Sequence, residues 1–159
     1  MPSINTHIYM AERLNEKYNI DHDKFVLGNV LPDLYKTNHF TSHFNKSFKE
    51  YDYDKLISKY KKYFDKKDPI FIGYLTHLIL DDYINVNFRK KFIYEGEEPI
   101  GISIPLGKMY IDIKEIFDLK HDDLNVYDQK LLDTFNFKEF NDFGALDSLP
   151  LDRKSTRLN

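Results

Sequence analysis

The run from Asp68 to Phe92, DPIFIGYLTHLILDDYINVNFRKKF, limits this chain more than any other feature. Its Ile, Phe, Leu and Tyr residues cover most of the circumference of a helix, and a helix apolar on most sides is buried. One stripe departs from this pattern. Gly73, His77, Asp81 and Asn85 follow one another at i, i+4 steps and share a face. Buried polar groups without partners cost roughly 1–3 kcal/mol each, and an unpaired charge costs far more. The stripe therefore needs partners from elsewhere in the chain. An imidazole and a carboxylate one turn apart supply half of the ligand set of a first-row metal ion.

The rest of the composition narrows what those partners are. With no cysteine among 159 residues, disulfides, thiolate metal sites and cysteine nucleophiles are excluded, so any metal sits on imidazole and carboxylate. The net charge is -3 and both signs are interspersed, which argues against a nucleic-acid partner. The segment MPSINTHIYMAERLNEKYN lacks the basic start, apolar run and cleavage site of a secretory signal, and no stretch of about 18 apolar residues occurs. The expectation is a soluble, cytoplasmic, single-domain protein without a transmembrane segment. The last eight residues, DRKSTRLN, look like the translation of a sequencing-adapter oligonucleotide. They are set aside as a non-native tail, 152–159, leaving 1–151 as a domain whose C-terminus is expected to be incomplete.

Periodicity predicts an all-α helical bundle. Ile4 to Tyr18 is amphipathic, with Ser3 or Asn5 as cap and His7 on the apolar face with Ile4, Ala11, Leu14 and Tyr18. Asp23 to Val30 predicts a shorter helix stopped by Pro32, and the segment from Asp33 to Glu50 is polar and irregular. Tyr53 to Phe64 predicts one helix, and Asp68 followed by Pro69 opens the central one. Tyr94 to Gly107 is expected as a loop with room for a short strand at GISIP. Lys108 to Leu119 and Asp123 to Phe137 predict two further helices. Candidate ligands besides His77 and Asp81 are His7, Asp33, His39 and His43, whereas His22 and His121 sit among aspartates as solvated turn or cap residues.

Four segments in order, THIYMAERL, GNVLPDL, TSHF and GYLTHLILDDY, resemble the zinc-dependent phospholipase C family, including its short members without secretion signals. The resemblance covers roughly Met1 to Phe92. It implies an all-α domain whose histidines and aspartates hold zinc ions that hydrolyse a phosphate ester, with a phospholipid among the substrates. By position it implies His7, His43 and His77 as zinc ligands and Asp81 as the carboxylate bridging two zincs. Asp33 matches the family's active-site aspartate, a metal ligand or the activator of the attacking water. The chain also departs from the larger members. After Asp81 the only histidine is His121, with Asn125 rather than a glutamate four residues on, so a third zinc has no support, and no N-terminal tryptophan is present to ligate through its amine. The rival readings are a non-catalytic helical domain pinned by one structural zinc, a helical bundle with satisfied polar contacts, and an HD-type metal phosphohydrolase. The last requires an adjacent His-Asp pair, which occurs only at His22-Asp23 and His121-Asp122.

Overall fold

In the computed structural model, which describes residues 3–34, 42–47 and 50–139, the polar stripe lies where two helices cross at van der Waals closeness. Helix α1, Ile4–Tyr18, starts at Ser3, whose hydroxyl accepts from the Thr6 N–H, and ends at Asn19 in the left-handed region. Helix α2 spans His22–Leu34 and buries every residue from Phe25 to Pro32. Pro32 does not stop it. A proline here removes one hydrogen bond near the end of the helix, and burial of eight consecutive residues on both sides outweighs that loss.

Helices α3, Tyr53–Lys59, and α4, Lys61–Phe64, replace the single helix expected over this stretch, with the break at Tyr60. The central helix α5 runs Pro69–Arg89, capped by the Asp68 carboxylate on the Ile70 N–H. It crosses α2 glycine on glycine. A Cβ added at Gly28 would stand 2.0 Å from the Ile70 carbonyl oxygen, and one at Gly73 would stand 2.4 Å from that of Phe25. Around this crossing sits the core, with Leu27, Leu31, Phe44, Leu56, Tyr60, Phe71, Tyr74 and Leu78 on one side and Ala11, Phe25 and Val26 on the other.

The all-α expectation is overturned by two antiparallel sheets. Strands β1, Asn45–Ser47, and β2, Glu50–Tyr51, form a short ribbon after the polar segment. Strands β3, Phe92–Glu95, β4, Glu98–Ile104, and β5, Gly107–Met109, form a three-stranded sheet with β4 in the middle. Ile100, Ile102 and Ile104 alternate along β4, and Gly96 and Gly107, with φ of 63° and 141°, turn the chain at its ends. The sheet is fastened by Phe92, whose ring meets Phe88 of α5 and Phe117 of the last helix. That helix, α6, is one continuous element, Ile113–Thr134, because neither glycine nor proline interrupts it; Lys108 and Met109 belong to β5 instead. No helix among the described residues is long and apolar enough to cross a membrane. The tail at 152–159 and His39 lie outside the described residues.

Candidate metal centre

Three helices and the segment at 42–44 bring five side chains to one point. His7 comes from α1, Asp33 from the last turn of α2, His43 from the segment before β1, and His77 and Asp81 from α5. His7, His43, His77 and Asp81 are fully buried; the Asp33 side chain keeps 14 % exposure and forms the accessible edge. Four donor atoms converge. His43 Nε2 lies 3.3 Å from Asp33 Oδ1, 3.5 Å from Asp81 Oδ2 and 3.1 Å from His77 Nε2. His77 Nε2 in turn lies 3.5 Å from Asp81 Oδ2 and 3.9 Å from Asp33 Oδ1. The other carboxylate oxygen of Asp81 faces away to His7, 3.4 Å from its Nε2, while the His7 ring stacks on His77 with centroids 3.7 Å apart.

The donor set fits a zinc ion. Two atoms each about 2.0–2.2 Å from a tetrahedral ion stand about 3.3–3.6 Å apart, and the separations around His43 and His77 scatter about that edge length. Hydrogen bonding alone leaves the group unsatisfied. Both His7 nitrogens and both Asp81 oxygens are buried without a hydrogen-bond partner, and a cation would remove that cost at the Asp81 oxygens and at His7 Nε2, the nitrogen that faces them. His77 Nδ1 stands 2.6 Å from the Asn29 carbonyl oxygen, which accepts only a proton. That fixes the tautomer with the proton on Nδ1 and leaves the Nε2 lone pair facing the cluster. His43 Nδ1 stands 2.9 Å from the Ser42 hydroxyl, which orients the ring and can either donate or accept. Because His77 offers this one nitrogen, the groups His7–His77–Asp81 and Asp33–His43–His77 overlap and cannot both use it.

Electrostatics keep three of these side chains in the forms that bind a metal. Burial holds the His7 imidazole below its usual range, against the pull of Asp81. For Asp81, burial acts to raise the carboxyl, but contact with His7 and His77 outweighs it and holds it well below the usual range. Asp33 follows the same balance, with His43 and His77 overcoming desolvation. All three are therefore deprotonated at neutral pH.

Residues 6–82 match the family described as zinc dependent phospholipase C. Over this stretch, a little under half of the 159 residues, the chain is similar to that family. The matched stretch opens beside His7 and closes beside Asp81, so all five converging side chains lie within it. Comparison with curated proteins and with solved structures gives no match.

The other described histidines, His22 and His121, stand apart from the cluster. His22 opens α2 and is partly buried rather than solvated, with Nδ1 2.7 Å from Asp23 and Nε2 3.8 Å from the buried Glu12. His121 is exposed in the middle of α6. Neither adjacent His-Asp pair enters the metal groups found among the described residues, which removes the basis for the HD-type reading. Sequence reasoning passed over Asn29 and Ser42, which orient His77 and His43. It also passed over Lys120, a lysine on the buried side of α6 between Ile116 and Leu131. That last signal was available, since a charged residue stood on an apolar helical face.

Proposed function

We propose that this protein is a zinc-dependent hydrolase of phosphate esters, with one ion on Asp33, His43, His77 and Asp81 and a second between His7 and the opposite oxygen of Asp81. The domain that carries it is taken as residues 1–151. The observation that supports this reading best is the meeting of two imidazole nitrogens and two carboxylate oxygens at 3.1–3.9 Å, with the Asp81 oxygen among them buried and without a hydrogen-bond partner. When bound, zinc supplies Lewis-acid polarisation of a phosphoryl oxygen and a water of lowered pKa. The chain's own groups do the rest.

His43 and His77 are pre-set by Ser42 and Asn29, so no rotamer search accompanies loading. Asp81 ties the two ligand groups through its separate oxygens. Asp33, at the open edge, has one oxygen in the cluster and the other available to orient a water for in-line attack on phosphorus. Its lowered pKa suits orientation and charge better than storing a proton. A phosphodiester, and a phospholipid by family, fits this arrangement.

Elemental analysis combined with a chromogenic phosphodiester assay tests the reading. Wild type retains at least one zinc and turns over; His77→Ala and Asp81→Ala lose both properties; His121→Ala keeps both. Less than about half an equivalent of zinc at neutral pH sinks the proposal. Full zinc content without turnover leaves the structural pin in its place.

A further inference from the structure

Lys120 is the one lysine or arginine among the described residues that is buried, with 7 % exposure. Lysine is almost never fully buried unless paired with an opposite charge. Here the pairing is missing: the ammonium donates to the neutral Asn85 Oδ1 at 2.7 Å, and no carboxylate among the described residues forms an ion pair with it. The stem runs between Phe88 and Phe117, whose ring centroids lie 5.0 Å and 6.0 Å from Nζ. Such rings stabilise a cation without neutralising it.

The location matters as much as the burial. Asn85 is the next step of the polar stripe after Asp81, one helical turn from the metal ligands. Its Nδ2 donates to the Tyr51 hydroxyl at 3.3 Å, and Tyr51 lines a cavity of about 390 Å³. Asn85 stands one turn from Asp81 on the same helix, and the charge of Asp81 acts on both Lys120 and Tyr51. The cavity wall itself is acidic, with Glu50, Asp52, Asp54 and Asp82 against Lys46.

The geometry points to Lys120 as an anion-binding residue of the site, its ammonium donating to a non-bridging oxygen of the phosphoryl group beside the metal centre. Asn85 positions it by holding one of its three protons. This rests on the zinc hydrolase reading and adds to it a protein-borne cation, so that phosphate is gripped from two sides, by ligand-bound metal and by a fixed ammonium.

The test is calorimetric titration of inorganic phosphate into the full chain, zinc content being measured on the same samples. Zinc-loaded wild type binds phosphate; Lys120→Met retains its zinc and binds phosphate at least tenfold more weakly; Lys120→Arg recovers most of the affinity. Asn85→Asp, which leaves the lysine in place but gives it a carboxylate partner, also weakens phosphate while retaining zinc. Phosphate affinity within twofold of wild type in either folded variant overturns the inference. Zinc-loaded wild type that ignores phosphate overturns it as well and leaves the metal centre standing. A wild type that takes up no zinc overturns the hydrolase reading, and this inference with it.

Discussion

At the scale of single residues, the ligands divide by how much sequence alone can say about them. His77 and Asp81 are legible because an i, i+4 pair on an otherwise apolar helix demands a partner, whatever the rest of the chain does. The groups that orient the imidazoles are not. Asn29 acts on His77 through its backbone carbonyl, which every residue has, and Ser42 acts on its immediate neighbour. Removing such a support usually costs a metal site 10- to 100-fold in affinity. Ser42→Ala is therefore expected to weaken zinc about tenfold in a chelator competition; an unchanged dissociation constant would remove Ser42 from that role. His7 makes a prediction of opposite kind, about the protein without metal. Its folded pKa lies below the unfolded value of about 6.5, since burial penalises the charged ring. Below that pH the unfolded chain takes up a proton that the folded chain refuses, so stability present at pH 8 declines as pH falls through 6.5. Chelator-treated wild type should lose melting temperature between pH 7.5 and 5.5 more steeply than His7→Gln, and parallel slopes would refute the assignment.

At the scale of elements, the site depends on how closely α2 and α5 approach. Gly28 and Gly73 allow the backbones to touch, and that contact places the Asn29 carbonyl against His77 one turn beyond Gly73. Gly73→Ala drives a methyl into the Phe25 carbonyl, with overpacking of this kind costing about 1–3 kcal/mol. Denaturant unfolding should show that loss, and zinc affinity should fall with it because the Asn29–His77 register shifts. A variant that is destabilised yet binds zinc as wild type does would separate the crossing from the site. Sequence reading found Gly73 as the small member of the stripe but could not see its partner, since the pairing is between chains of contacts 45 positions apart. The three-stranded sheet was harder to read for another reason. Ile100, Ile102 and Ile104 carry the period-two pattern, yet they stand in a stretch rich in glycine and proline that resembles a loop until the positive φ angles of Gly96 and Gly107 are known. Pro32 misled in the reverse direction, because tertiary burial overrode a local rule.

At the scale of the whole molecule, the five proposed ligands would also be a cross-link. Positions 7, 33, 43, 77 and 81 belong to segments that meet only in the folded state, so an ion bound among them stabilises that state by mass action in proportion to the logarithm of free zinc over its dissociation constant. The stabilisation is not spread evenly. It falls on α1, α2, α5 and the segment around His43, whereas the β3–β5 sheet packs on the rest through Phe92, which meets Phe88 and Phe117, and through β4 against α6, with none of the five cluster residues in the sheet. Amide hydrogen exchange with and without chelator should then show loss of protection in those helices on metal removal, with the sheet amides nearly unchanged. The apo protein retains an apolar core around Leu27, Phe71 and Leu78 that needs no ion, so metal removal is expected to loosen the helical half rather than unfold the chain. Exchange that rises equally in helices and sheet would mean that the ion governs global stability instead, and exchange that rises nowhere would mean that these buried imidazoles and carboxylates hold no ion at all.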